Sequence, residues 1–155
     1  MKNLQETLLP PVANGRDSAV LCVDDEPLVL AALTRTLGRE PYEILRAADA
    51  VQALEMLDVS PVKVVIADER MPGMSGSALL SEVRRRWPLV GRIILTGYPG
   101  QGILIRSLEA EVDFLLYKPW DEAMLRKTIR RLIDEVDRAI GPEGLEGSWD
   151  LGGEG

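Results

Sequence analysis

Short apolar runs alternate with longer amphipathic segments along residues 19–140 of the chain. A continuous apolar run of about four to eight residues is typical of a buried strand, whereas apolar positions three or four residues apart indicate one face of a helix. The runs predict strands at Ala19–Val23, Glu43–Ala47, Val62–Ala67, Arg92–Leu95 and Asp113–Tyr117. The other segments predict helices at Pro27–Leu37, Ala50–Leu57, Ser75–Trp87, Gln101–Glu109 and Asp121–Ala139.

The alternation of strands and helices indicates the fold class. Strands joined by helices pair in parallel, because each helix carries the chain back across the sheet before the next strand begins. We therefore expect an α/β fold of (βα)5 type, with a doubly wound, parallel, five-stranded sheet. In such sheets, ligands bind at the carboxyl ends of the strands.

The two ends of the chain differ in composition from this central part. Residues 1–18 are polar and interrupted by Pro10, Pro11 and Gly15, which favours a flexible leader. Residues 141–155 contain six of the 14 glycines, which favours a flexible tail or the start of a linker. The sequence thus predicts one folded domain over residues 19–140.

Composition excludes several classes of function. The 155 residues include 25 acidic and 18 basic side chains, and the net charge of −7 weighs against direct nucleic-acid binding. The chain contains no histidine, which excludes a serine–histidine dyad and histidine metal ligands. Cys22 is the only cysteine, and neither a signal peptide nor a membrane-spanning run is visible, so we expect a cytoplasmic protein.

Polar side chains with related chemistry follow four of the five predicted strands. Asp24 and Asp25 come after the first strand, and Asp68 comes after the third. Thr96 follows the fourth strand, and Lys118 follows the fifth. Each alone has an ordinary explanation as a helix cap, a turn residue or a solvated lysine. Together they place carboxylates at one edge of the sheet, where Mg²⁺ would relieve their repulsion and the hydroxyl and ammonium would suit a phosphoryl group.

Four motifs at these positions resemble the receiver domain of two-component response regulators: VDDEP, IADERMPGMSG, ILTGY and YKPW. The spacing also fits, with 43 residues from Asp25 to Asp68, 28 more to Thr96 and 22 more to Lys118. The resemblance covers residues 19–140 and implies the flavodoxin-like receiver fold. The motifs LTGY and KPW are similar to those of receivers that are joined to HD-GYP-type cyclic-di-GMP phosphodiesterases or to other signalling outputs.

The resemblance implies a role for each matching residue at the site. Asp68 matches the aspartate that accepts phosphate from a phosphohistidine on a sensor histidine kinase or a phosphotransfer protein. Asp25 matches the direct Mg²⁺ ligand, and Asp24 matches an acidic neighbour that acts through water. Asp68 itself and the backbone carbonyl of Arg70 complete the expected metal site.

Further positions match the switch that responds to phosphorylation. Thr96 matches the hydroxyl that moves towards the phosphoryl group, and Lys118 matches the lysine that pairs with it. Pro119 matches a proline that is usually preceded by a cis peptide. Leu115 departs from the family, which usually carries tyrosine or phenylalanine three residues before the lysine. Either a neighbouring aromatic residue substitutes for it, or the switch works without a ring.

Two bulky side chains are expected beside the phosphoryl group. Arg70 follows Asp68 by two residues, and Tyr98 follows Thr96 by two. Both loops border the site in the receiver fold, so these side chains would restrict the water that hydrolyses the aspartyl phosphate. We therefore expect a long-lived phosphorylated state.

The expected function is a phosphorylation-dependent signalling switch rather than an enzyme with a separate substrate. Ile103, Leu104 and Ile105 cannot all face the core from one helix, which indicates a partner or homodimer surface at helix 4, strand 5 and helix 5. The tail is compatible with a C-terminal output domain that is missing from this chain.

Two alternatives stay open: an unphosphorylated interaction module, and an aspartyl-phosphate hydrolase, which Arg70 disfavours because such phosphatases carry an acid there.

Overall fold

The computed structural model describes residues 18–97 and 99–146, in which five strands alternate with five helices. The strands are β1 (Ala19–Val23), β2 (Glu43–Ala47), β3 (Val62–Ala67), β4 (Gly91–Thr96) and β5 (Phe114–Tyr117). The helices are α1 (Pro27–Leu37), α2 (Ala50–Val59), α3 (Gly76–Arg86), α4 (Gln101–Glu109) and α5 (Glu122–Glu146). None of these described helices is long and apolar enough to cross a membrane.

All five strands form one parallel sheet in the order β2-β1-β3-β4-β5. The chain goes from β1 outward to β2, returns to β3 on the other side of β1, and continues to β4 and β5. The direction of winding therefore reverses between β1 and β3, and sheets of this kind bind ligands at the carboxyl ends of such a strand pair. The (βα)5 fold predicted from the sequence is confirmed.

Helices cover both faces of the sheet, and alternate strand residues point into opposite cores. Leu21 and Val23 of β1 belong to the core cluster with α2 and α3, whereas Val20 and Cys22 belong to the cluster with α1 and α5. Strands β1, β3 and β4 are buried along their whole length. The residues at the carboxyl ends of these central strands therefore follow directly on a well-packed part of the sheet.

Helix α5 extends further than the sequence predicted. The prediction ended it at Ala139, whereas the structure continues it to Glu146 across a break at Gly141, where φ is 73°. Glycine adopts such a φ without the steric cost that a side chain brings. The first part of the expected tail therefore contains helical residues, while residues 1–17 and 147–155 lie outside the described residues. The flexibility of the leader and the tail stays a prediction.

The buried thiol of Cys22 provides a test of the packing around β1. Its side chain is 1% exposed, and burial raises the pKa of the thiol to about 12, against the opposing effect of Arg46. Because the thiolate is the reactive form, we expect the native protein to react with an aromatic disulfide reagent at least about 10³-fold more slowly than the unfolded protein. The guanidinium-unfolded protein is the control, and its one cysteine should release one equivalent of chromophore. Rapid labelling of the native protein would contradict the buried position of Cys22.

Candidate functional site

The carboxyl ends of β1 and β3 bring two aspartates side by side. Val23 and Ala67 end the two strands as neighbours in the register, and Asp24 and Asp68 follow them directly. The parallel pairing continues for one more residue, because the Asp68 N–H donates to the Val23 carbonyl at 3.0 Å. Asp24 is 2% exposed and Asp68 is 6% exposed. Two acidic side chains therefore lie close together at a position that solvent hardly reaches.

The ammonium of Lys118 compensates this negative charge. Its Nζ lies 2.8 Å from Asp24 Oδ2 and 3.5 Å from Asp68 Oδ2. The Lys118 N–H donates to the Thr96 carbonyl at 2.9 Å, and the peptide bond from Lys118 to Pro119 is cis. Burial opposes the charged form of Lys118, but the hydrogen bond to Asp24 and the charges of both aspartates outweigh it, so the pKa of Lys118 is raised. The lysine therefore keeps its positive charge around neutral pH.

Three acidic side chains are close enough to hold a metal ion together. A carboxylate oxygen from each of Asp24, Asp25 and Asp68 lies within 4.8 Å of the others. Asp25 is exposed, whereas the other two are buried, so the cluster meets solvent on the Asp25 side. A small set of oxygen donors suits Mg²⁺, which keeps several of its own waters. The donor set therefore fits the cation that the resemblance implies.

The expected switch residues have different environments. Thr96 ends β4 and is fully buried, whereas Pro119 is exposed. Leu115 is partly buried and packs against the core cluster that includes Ile103 of α4. Phe114 packs against the cluster on the opposite face of the sheet, so this ring does not replace the missing aromatic side chain. Tyr117, two residues after Leu115, lies on the same face of β5 and is exposed, so the two alternatives for the switch stay open.

The structure describes only one of the two side chains that are expected to restrict water. Arg70 is exposed and lines a cleft between the β3–α3 loop and the start of α4. Tyr98 lies outside the described residues, so its role stays a prediction. The role of the Arg70 carbonyl as a metal ligand also stays a prediction.

The start of α3 packs directly against the main chain of Asp68. Ser75 caps this helix by accepting the Ala78 N–H at 3.2 Å. A Cβ atom at Gly76 would lie 2.1 Å from the Asp68 carbonyl oxygen, so a side chain does not fit there. The Gly76 N–H also donates to the Glu69 carbonyl at 3.0 Å. The loop after β3 is therefore held closely on α3.

The sequence analysis missed one buried acid, Glu69, which directly follows Asp68. Its Oε1 accepts the Ser77 N–H at 2.7 Å, and its Oε2 accepts the Ser77 hydroxyl at 2.9 Å. The same Oε2 accepts the Arg106 Nε–H at 2.8 Å. The Glu69 N–H donates to Asp68 Oδ1 at 2.9 Å. An acid in a loop is normally solvated, so no signal in the sequence separates Glu69 from the exposed acids.

A chain of hydrogen bonds joins the segment after Lys118 to α1. Trp120 Nε1–H donates to Thr36 Oγ at 3.0 Å, and the Thr36 hydroxyl donates to Glu122 Oε2 at 2.9 Å. Arg126 donates to the Thr36 carbonyl at 3.2 Å. These contacts hold the loop that carries Lys118 against the helix that follows Asp24 and Asp25.

This combination of fold and site matches a known family. The family model of the response regulator receiver domain matches residues 20–130, which include Asp24, Asp25, Asp68, Thr96 and Lys118. The chain belongs to this family. It is a receiver domain of the kind found in two-component response regulators, as the sequence motifs predicted.

Two curated regulators that this receiver domain resembles are longer proteins. The domain is 38% identical over 135 residues to the hydrogenase transcriptional regulatory protein HoxA of Cupriavidus necator, covering 86% of this chain and 26% of that protein. It is 36% identical over 115 residues to HoxA of Bradyrhizobium diazoefficiens, covering 74% of this chain and 24% of that protein. The chain thus spans about a quarter of the length of these two regulators.

A solved structure shows the same likeness in three dimensions. It is the signal receiver domain of an HD domain-containing protein from Pseudomonas fluorescens Pf-5, with a TM-score of 0.75 and 33% identity. The match covers 78% of this chain and 98% of that structure. A complete receiver fold therefore accounts for the central part of this chain.

The close contact at Gly76 predicts a loss of stability when a methyl group is added. Gly76→Ala should lower the free energy of unfolding by about 2–3 kcal/mol, because the methyl group collides with the Asp68 carbonyl. Gly97→Ala is the control, since a Cβ there meets only Lys118 Cδ at 4.0 Å, and we expect a change below about 1 kcal/mol. Urea unfolding followed by circular dichroism measures both. Equal stability of the two variants would show that the loop is not packed closely on α3.

Proposed function

We propose that this receiver domain is a phosphorylation-dependent switch with Asp68 as its phospho-acceptor. The observation that carries the proposal is the Lys118 ammonium, which contacts the buried carboxylates of both Asp24 and Asp68. The exposed carboxylate of Asp25 lies beside these two aspartates. Buried charges arranged in this way are concentrated at functional sites. The proposed phosphoryl donor is a phosphohistidine of a sensor histidine kinase or of a phosphotransfer protein.

The proposed reaction uses one oxygen of Asp68 as the nucleophile. Asp68 Oδ1 accepts the Glu69 N–H, whereas Oδ2 faces Lys118, so Oδ2 is the oxygen that we assign to the reaction. An O–P bond forms from Oδ2, and the P–N bond to the donor histidine breaks. The electron pair of that bond stays on the imidazole nitrogen, which takes up a proton. Lys118 then stabilises the charge of the phosphoryl group, and the Thr96 hydroxyl donates to one of its oxygens.

Asp25, Asp68 and the backbone carbonyl of Arg70 would hold Mg²⁺ directly in this proposal, with Asp24 acting through water. The two oxygens of Asp24 accept hydrogen bonds from the Glu26 N–H, at 2.9 Å, and from the lysine ammonium, which supports an indirect role. When bound, Mg²⁺ neutralises part of the phosphoryl charge. Arg70 is exposed on the acceptor loop, the segment that follows Asp68, and this position supports its proposed role, with Tyr98, in restricting hydrolytic water.

The proposed output surface consists of α4, β5 and α5. The large apolar side chains exposed on these elements are Leu104, Ile105, Leu108, Tyr117 and Met124. Ile103 is buried, so the three consecutive apolar residues do face different ways, as the sequence indicated. Such a face suits a second copy of the domain or an output domain. The greater length of the HoxA relatives supports a C-terminal output domain that is missing from this chain.

Asp68→Asn should abolish phosphorylation, because the variant lacks the nucleophilic carboxylate oxygen. Incubation with Mg²⁺ and a small phosphodonor such as acetyl phosphate, followed by intact-mass measurement, tests this. Asp58→Asn is the matched control, since Asp58 is exposed on α2 and pairs with Arg86. We expect it to take up phosphate like the wild type. Equal uptake by Asp68→Asn would refute the assignment, and no uptake by the wild type, with a cognate kinase included, would favour the unphosphorylated interaction module.

Mg²⁺ should raise the melting temperature of the wild type at millimolar concentrations, since a ligand that binds only the folded state stabilises it by about 1.4 kcal/mol at tenfold excess over its Kd. Asp25→Ala should lose this shift and keep or increase its stability without metal, because one repelling carboxylate is gone. Asp58→Ala changes the net charge equally on an exposed helix position and should keep the shift. A full Mg²⁺ shift in Asp25→Ala would show that Asp25 is not a ligand.

A further inference from the structure

We propose that Glu69 is a positioning residue that couples the phospho-acceptor to α4 through Arg106. This inference rests on the proposed role of Asp68 as the phospho-acceptor. The ion pair between Glu69 and Arg106 joins the loop after β3 to the helix after β4. It gives the acceptor a direct connection to α4 that does not pass through Thr96, Leu115 or Lys118.

The main chain of Glu69 controls the orientation of the acceptor. Its N–H donates to Asp68 Oδ1 at 2.9 Å, which is the oxygen that does not form the bond to phosphorus in the proposed reaction. A rotation of the Asp68 carboxylate therefore breaks this hydrogen bond or moves the Glu69 peptide. A displacement of Glu69 in turn changes the direction of the Asp68 carboxylate.

The side chain of Glu69 is held on two helices. Its carboxylate is 5% exposed and accepts two hydrogen bonds from Ser77, at the start of α3, and one from Arg106, on α4. A buried carboxylate is stable only where donors surround it, so Glu69 cannot leave this position without losing all three contacts. The residue therefore transmits a displacement of either helix to the acceptor loop.

Helix α4 has few other contacts that would fix it. Among its nine residues, only Ile103 and Ser107 are buried, and the Ser107 hydroxyl has no hydrogen-bond partner in the described part of the chain. Leu104, Ile105 and Leu108 are exposed. A helix with few buried side chains has low local stability. One additional ion pair can therefore change how firmly α4 is held.

The ion pair between Glu69 and Arg106 also spans a cleft between the acceptor loop and α4. A cleft of about 170 Å³ lies between the acceptor loop and the first turns of α4, with Glu69 and Arg70 on one side and Pro99, Ile103 and Arg106 on the other. Arg106 is 52% exposed, so the bond that it makes is partly screened by water. An ion pair that is screened in this way contributes modestly to stability and can break and re-form.

Hydrogen–deuterium exchange of peptides from α4 tests the coupling, with and without beryllium fluoride and Mg²⁺ as a phosphoryl analogue. In the wild type, the analogue should slow exchange in α4. In Arg106→Ala, exchange in α4 without the analogue should be at least about threefold faster, and the response to the analogue should fall by more than half. By reciprocity, the variant should bind the analogue about two- to fivefold more weakly.

Arg85→Ala is the matched control for the loss of an exposed arginine. Arg85 pairs with Glu82 within α3, away from the acceptor loop, so this variant should behave like the wild type. Glu69→Gln keeps a side chain that can accept from Ser77 but removes the charge that binds Arg106. If the pair acts as a unit, the double variant Glu69→Gln with Arg106→Ala should show the same exchange in α4 as Arg106→Ala alone.

The possible outcomes separate this inference from the proposed function. The coupling would be overturned by equal exchange in α4 for the wild type and Arg106→Ala, or by additive effects of the two substitutions. In both cases, binding of the analogue by the wild type would leave the role of Asp68 intact. Failure of the wild type to bind the analogue would overturn the phospho-acceptor role of Asp68 and the coupling with it. If Arg106→Lys partly restores slow exchange in α4, the positive charge at position 106 supports the coupling even without the guanidinium geometry.

Discussion

Asp24 and Asp68 are neighbours because β1 and β3 are adjacent in a parallel sheet, and the two strands cannot separate without losing their pairing. The sheet therefore forces two buried carboxylates together, which is unfavourable unless a positive charge compensates them. Lys118 supplies that charge from the end of β5, two strands away from β3. The hydrogen bonds from Trp120 to Thr36 and from Lys118 to Thr96 serve this arrangement, because they fix the loop that carries the lysine.

The two helices beside the acceptor are held very differently. Helix α3 begins in direct contact with the Asp68 main chain, at Gly76, and buries Leu79, Leu80 and Val83. Helix α4 buries only Ile103 and a serine. A change at the acceptor is therefore transmitted more easily to α4 than to α3, because less apolar surface has to be rearranged. The exposed apolar side chains of α4 place part of the proposed output surface on the helix with the smaller buried area.

Most of the fold was predictable because the apolar runs are short, continuous and separated by clear helix signals. The cluster of Asp24, Asp25 and Asp68 was predictable for a related reason, since parallel strands place their carboxyl ends at one edge. Glu69 was not predictable, because an acid in a loop is normally solvated and one of its partners, Arg106, comes from a distant part of the chain. The end of α5 was missed because Gly141 reads as a helix stop, whereas the structure passes through it with a left-handed φ and resumes the helix.

Two kinds of contact connect α4 to the rest of the domain, and they differ in what they can transmit. Leu115 packs against the core cluster that includes Ile103, and such apolar contacts are non-directional, so they tolerate small rotations. The bond from Arg106 to Glu69 is directional, and it weakens steeply when the donor and acceptor move out of line. The orientation of the Asp68 carboxylate is itself fixed by a directional bond from the Glu69 N–H. With leucine at position 115, the directional contacts of Glu69 with Asp68 and Arg106 respond to a rotation of the acceptor carboxylate in a way that the apolar contact of Leu115 does not.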